Sequence, residues 1–250
     1  VLSDVTLSFP TGLTVIRGEV AAGKTALLQA LLGELDTHGG EFIRPNEIIG
    51  YCAQTPWLES MSIRENILFS SPYDPSRYRE VLEACALIPD MANFQHGDLS
   101  QIGENGIGLS GGQKARVALA RAVYSGANTL LLDDPLSALD HQTAETIVRR
   151  CIGGRLLANR TTVLVTHRTE LCLALAKQVV EISEGRAHLI DAEAALSSNL
   201  YLVRSSESSV DLDQERGEEQ QLAAIPEKFM EEEHRAHGGV KASVYWEYIK

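Results

Sequence analysis

Gly18-Glu19-Val20-Ala21-Ala22-Gly23-Lys24-Thr25 fits the pattern G-x-x-x-x-G-K-[ST]. A glycine-rich turn of this kind, set between a strand and a helix, aims successive backbone N–H groups at one spot, and the helix N-terminus adds its partial positive charge. Such a cradle suits the polyphosphate of a nucleotide. Lys24 would reach the β and γ phosphates and the Thr25 hydroxyl would ligate Mg²⁺, with Ala26 next in the same helical turn. A second element answers the first. Asn128-Thr129-Leu130-Leu131-Leu132-Asp133-Asp134 is an apolar run that ends in two carboxylates. A buried strand ending this way would set Asp133 beside the metal, as phosphoryl-transfer sites built on this cradle require.

These side chains need a scaffold to bring them together, and the hydrophobic pattern supplies one. Residues 13–16 read as a strand and 24–35 as a helix, with Leu27, Leu28, Leu31, Leu32 and Leu35 on a wide buried face. Residues 1–9 alternate apolar and polar like a half-buried strand, and 41–43 and 48–51 are short strand candidates. From 62 to 125 the pattern is mostly helical, best over 76–87 and 112–124. The runs 129–132 and 161–165 suit buried parallel strands, with a helix over 143–151 between them. Residues 179–182 and 187–190 form a hairpin across Glu184-Gly185. The fold class is therefore α/β, a P-loop core with an antiparallel β portion and a helical insertion over about 59–126.

The composition of the 250 residues, 44% apolar and 22% charged, supports a packed core and excludes a disordered or collagen-like chain. A net charge of -12 argues against a nucleic-acid surface, which needs clustered Lys and Arg. No apolar run reaches the roughly 18 residues that a membrane span needs. Cys52, Cys85, Cys151 and Cys172 lie far apart without a C-x-x-C pair, which suits a reducing compartment. His38, His96, His141, His188, His234 and His237 read as ordinary surface or core histidines. The chain opens in mid-pattern at Val1 and reads as a piece of something larger. Residues 1–203 form one globular unit. Over 204–239 acidic residues such as Glu207, Asp211, Asp213 and Glu218 dominate, a flexible linker. Residues 240–250 regain helical amphipathicity through Val244, Tyr245, Tyr248 and Ile249.

Leu109-Ser110-Gly111-Gly112-Gln113 precedes a helix, and its serine and glycines at a helix N-terminus make a second anion site. This segment resembles the signature of ATP-binding cassette (ABC) proteins. The resemblance implies ATP and Mg²⁺ as ligands, and an ABC-type P-loop fold with a RecA-like core. In that family the signature closes over the γ-phosphate of ATP held by a second nucleotide-binding domain, in a head-to-tail pair. Gln54, within Tyr51-Cys52-Ala53-Gln54-Thr55-Pro56-Trp57, is similar to the Gln loop, which contacts Mg²⁺ and the attacking water and couples to membrane helices. Ser137-Ala138-Leu139-Asp140 resembles the D-loop, and His167 the switch histidine that touches the γ-phosphate. Thr55-Pro56-Trp57, Ser62-Ile63-Arg64-Glu65-Asn66-Ile67 and residues 102–125 are similar to the first nucleotide-binding domain of C-subfamily, multidrug-resistance-associated-type transporters. The likeness covers nearly the whole chain and is weakest across the linker. It implies a domain at the cytoplasmic face of a membrane, with the membrane domains as partners and residues 240–250 as the start of an elbow helix.

Three departures stand out. Asp134 occupies the position where most cassettes carry a Glu general base. Its carboxylate is withdrawn by about 1.5 Å, one C–C bond, and misplacement of about 1 Å can cost on the order of 100-fold in rate. The resemblance implies a degenerate site that holds ATP and turns it over poorly. Ala21 stands where many cassettes have Gly; a positive φ there would cost about 1–2 kcal/mol. The aromatic residue that stacks on adenine in this family would fall before Val1. The expected function is thus an ATP-binding, weakly hydrolysing domain of an exporter. The alternatives are a regulatory ATP-binding module without useful hydrolysis, or a soluble ABC ATPase. The repair type of the latter is excluded because only residues 26–109 separate cradle from signature, without sustained heptads.

Overall fold

The computed structural model describes residues 2–191 apart from 37 and 44–46. Six strands, β1 (Gly12–Gly18), β2 (Ile49–Cys52), β3 (Thr129–Asp133), β4 (Thr161–Val165), β5 (Gln178–Ser183) and β6 (Arg186–Ile190), form one sheet in the order β2-β3-β4-β1-β5-β6. The first five strands in that order run parallel, and β6 turns back antiparallel to β5. The register brings Ile16, Val165 and Asp133 level at the C-terminal ends of β1, β4 and β3. In open parallel sheets this end, where strand order reverses, is where ligands bind.

Both faces of the sheet are covered, which explains why β3 and β4 read as unbroken apolar runs. On one face Ile16, Leu131, Val163, Val165 and Val180 pack with Leu27 and Leu28 of α1 (Lys24–Leu32). On the other, Val15, Leu130, Leu132, Leu164 and Val179 join a larger core built with the remaining helices. These are α2 (Ile63–Leu68), α3 (Pro75–Ala84), α4 (Ile88–Asn93), α5 (Gly111–Tyr124), α6 (His141–Ile147) and α7 (Thr169–Cys172). Local chemistry fixes their starts: Ser62 with Glu65 and Ser110 with Gln113 form capping boxes, and Asp74 caps α3 ahead of Pro75.

The expected helical insertion is present as α2 to α5. Its centre is Asn66, fully buried, whose side-chain amide donates to the Glu59 and Ser62 carbonyls at 3.0 and 3.1 Å. Its side-chain oxygen accepts from Arg121 at 2.7 Å, and Arg121 donates further to the Asn66 and Trp57 carbonyls at 2.7 and 2.9 Å. The Arg121 guanidinium also lies 5.5 Å from the Trp57 ring and 5.2 Å from the Phe69 ring. The segment between β2 and α2 is thereby tied to α5.

Several sequence expectations need correction. Residues 2–9 are not a strand. Val5, Leu7 and Phe9 are half-buried against the α1 face, as the alternation suggested, but the segment joins no ladder and is held by contacts such as Ser3 N–H to the Gly185 carbonyl at 2.8 Å. Residues 41–43 are not a strand either. The helix expected to reach Leu35 stops at Leu32, because Gly33 adopts φ 83° and its N–H caps the Ala30 carbonyl; Leu35 is left exposed. The helix expected over 143–151 begins at His141 and widens into a π-helical turn over Val148–Ile152. The hairpin across Glu184-Gly185 forms as expected, both turn residues having positive φ. The four cysteines are free and buried, and burial pushes the Cys52 and Cys172 thiols up to about 12, which disfavours their thiolates. The acidic segment 204–239 and the helix start at 240–250 lie outside the described residues.

Candidate functional site

The cradle is shaped by close backbone approach. A Cβ on Gly18 would sit 2.3 Å from the Ile182 carbonyl oxygen, so only glycine lets β1 end against β5. The loop then turns through Ala21 at φ 65° and Gly23 at φ 103° into α1, with the Ala22 N–H on the Glu19 carbonyl at 3.2 Å. Ala21 therefore carries the left-handed backbone that a glycine would adopt without strain. A cleft of ≈ 750 Å³ is lined by residues 18–23 and by residues 181–185 at the end of β5 and the turn after it.

Lys24 is buried, and its ammonium donates to the Gly18 and Glu19 carbonyls at 2.8 and 2.6 Å, folded over its own loop. Burial lowers its pKa, opposed by the negative charges of Asp134 and Asp133. Asp133 and Asp134 are buried at the end of β3. Burial raises the Asp133 pKa; the Thr25 hydroxyl bonds to the carboxylate and pulls it back, while Asp134 pushes it further up. Asp133 Oδ2 and Asp134 Oδ1 are buried with no hydrogen-bond partner. Two orphaned anionic oxygens beside a lysine and a threonine hydroxyl fit a divalent cation accompanied by phosphates. Among the described residues no cluster of His, Cys, Asp or Glu could hold a metal unaided, so a cation here would draw further oxygens from its ligand or water.

Gln54 lies two residues beyond β2, whose Cys52 pairs with Leu132, and is exposed next to the carboxylate end of β3. His167 lies exposed two residues beyond Val165, the last residue of β4, which separates β3 from β1. Lys24, Thr25, Asp133, Asp134, Gln54 and His167 are therefore collected at one sheet end. The signature lies elsewhere, at the start of α5, with Ser110 as its N-cap and Gly112 in its first turn. Ser110 Oγ accepts from the Gln113 N–H at 3.2 Å, and Gln113 Oε1 accepts from the Ser110 N–H at 2.9 Å. The Gln113 amide also donates to Asp90 at 2.8 Å, and Asp90 pairs with the largely buried Arg116. Gly111 is exposed with open space around its Cα, Gly112 is half-buried, and as first-turn residues their N–H groups have no intrahelical acceptor.

Sequence reasoning missed Arg168. Its guanidinium donates to the Leu139 carbonyl and to the Asp140 carbonyl at 3.4 Å, joining the residue after His167 to the Ser137-Ala138-Leu139-Asp140 loop. Its only signal in the chain is that it follows His167.

Residues 2–137 match the ABC transporter family. The chain is 38% identical to the ATP-binding cassette transporter abc4 of Schizosaccharomyces pombe over all of its length and 18% of that protein's. It is 38% identical to ABC transporter C family member 3 of Dictyostelium discoideum, over 95% of this chain and 18% of that one. It is 45% identical to the ATP-dependent bile acid permease of Saccharomyces cerevisiae, over 74% of this chain and 12% of that one. The chain thus spans under a fifth of these relatives. No helix among the described residues is long and apolar enough to cross a membrane. With its cradle, strand-end carboxylates and signature helix joined on one α/β scaffold, the chain belongs to the ABC transporter family, among the C-subfamily ATP-binding domains.

Proposed function

We propose that this chain is the ATP-binding domain of a membrane exporter, the first of two such domains in its transporter. The observation that carries the reading is the pair of buried, unpartnered carboxylate oxygens on Asp133 and Asp134 beside Lys24. Amides of residues 18–25 would hold the phosphates, with Lys24 exchanging its two loop carbonyls for phosphate oxygens. Thr25 and Asp133, with Gln54, would hold Mg²⁺, which when bound neutralises charge on the transferring phosphoryl group. His167 would meet the γ-phosphate. The first-turn amides of Gly111 and Gly112, braced by Ser110 and Gln113, would meet the nucleotide of the partner domain, and ATP at both sites would join the two domains.

Asp134 stands in the general-base position with a side chain about 1.5 Å too short. The site then binds ATP firmly and hydrolyses it slowly, while its signature serves the second domain's site. A purely regulatory ATP-binding role is favoured by the same Asp134 and differs only in having no turnover here at all. The relatives' names speak for transport rather than for a soluble ATPase. On this reading the domain sits at the cytoplasmic face of a membrane, with residues 204–239 as a linker to an elbow helix that begins at 240–250.

Titration of the chain with a fluorescent ATP analogue tests the proposal. Saturable, Mg²⁺-dependent binding is expected, weakened at least about 100-fold by Lys24→Ala, equivalent to roughly 2.7 kcal/mol. Equal binding by the Lys24→Ala chain would overturn it.

A further inference from the structure

The loop that follows Asp134 touches three things. Ser137 Oγ donates to the Asp134 carbonyl at 2.8 Å, and fully buried Leu136 anchors the loop in the core. The Ala138 carbonyl oxygen lies 3.2 Å from where a Cβ on Gly112 would be, so the loop abuts the first turn of α5. The Leu139 and Asp140 carbonyls receive the two arms of the Arg168 guanidinium. Arg168 is half-buried, its backbone N–H donates to Thr166 Oγ1 at 3.0 Å, and His167 is its neighbour. A continuous physical path therefore runs from the His167 strand end through Arg168 and residues 138–140 to Gly112.

We propose that Arg168 is a positioning residue: it clasps the 134–140 loop to the His167 strand end, so that nucleotide at Lys24 and the outward face of the signature turn move as one unit. The inference rests on the ATP-binding reading above. Arg suits the task because its planar fork spans two carbonyls at once, whereas a lysine ammonium is a single point donor. Its bonds go to neutral carbonyls at a half-exposed position, where water competes for both partners and each bond is weak. Such a clasp can open and close as a conformational device and is too slight to hold the fold. Coupling between sites requires a two-state contact of this kind that both sites bias.

The test is backbone hydrogen exchange of segments 109–114 and 134–141, with and without saturating MgATP, on the wild-type, Arg168→Ala and Arg168→Lys chains. Nucleotide affinity of each is titrated separately. Wild type should show slower exchange in both segments on MgATP binding. Arg168→Ala should bind MgATP within about threefold of wild type yet lose the nucleotide-dependent slowing at 109–114; Arg168→Lys should recover only part of it. A brace with a merely structural role would speed exchange with and without nucleotide alike. An Arg168→Ala chain that keeps the full nucleotide response overturns the proposal, as does one that loses nucleotide binding. If Arg168→Ala does not fold, Arg168→Lys decides, and a full wild-type response there overturns the proposal. A wild-type chain that fails to bind MgATP refutes the ATP-binding reading itself, a result distinct from the others.

Discussion

The Asp134 amide donates to the Val165 carbonyl at 2.9 Å, so the residue after the strand-end carboxylate is stitched to β4 two residues before His167. It makes this bond at φ 47°, a left-handed conformation that a non-glycine residue adopts at a cost of about 1 kcal/mol or more. The backbone is thus held fixed while the side chain stops one bond short of the length a Glu would have. On the proposed reading, the reach of this side chain rather than the course of the main chain is what sets turnover here.

Asp134→Glu is therefore expected to raise ATP turnover at this site in the full transporter. If placement alone limits the rate, the gain is on the order of 100-fold. Phosphate release measured with the second site disabled checks this. An unchanged rate would mean that something other than the length of this side chain is limiting.

Asp133 should trade stability for function. Its ordinary pKa is 3.8, and burial raises it in the folded chain. Between the unfolded and folded values the native state binds more protons than the unfolded state, so stability falls as pH rises through that window. Above the window the carboxylate carries its full burial penalty, and an amide does not. Asp133→Asn is expected to raise the urea midpoint at pH 7, with the gain shrinking as pH drops through the window towards 3.8, while Mg²⁺-dependent nucleotide binding is lost. A lower midpoint at pH 7 would contradict the sign.

Ala21 sits at φ 65° in an exposed turn. Glycine relieves about 1–2 kcal/mol of left-handed strain and gives back about 0.4–1 kcal/mol in unfolded-chain entropy. Ala21→Gly should stabilise the domain by about 0.5–1 kcal/mol, seen as a rise of a few degrees in melting temperature.

Asn66→Ala removes a fully buried amide and takes one of its three acceptors from Arg121, whose pKa burial already lowers. The loss should be about 3 kcal/mol, read from the urea midpoint. A change below about 1 kcal/mol would mean that Arg121 finds water in place of Asn66.

What could be read from the chain and what could not divides along physical lines. β3 and β4 were legible because burial on both faces leaves unbroken apolar runs, and the β5–β6 turn because Gly185 suits positive φ. Residues 2–9 misled because alternation reports half-burial, which an extended segment can have without a ladder. Leu35 misled because helical spacing continues past the glycine that ends α1. The cradle, the Asp133-Asp134 pair and the signature turn are contiguous in sequence and so announced themselves. Arg168 and the Asn66–Arg121 pair did not, since Asp140 lies 28 residues from Arg168 and Asn66 lies 55 from Arg121, and only the fold brings them together. The conformation of Ala21 was open until its φ was known.

Isothermal titration calorimetry of MgATP into the dilute monomeric chain probes most directly the claim that this is a nucleotide half-site needing a partner to turn over. The account predicts a saturable isotherm whose heat pulses return to a flat baseline, binding without measurable hydrolysis. A sustained heat flow after each injection, the mark of brisk turnover by a monomer, would contradict it.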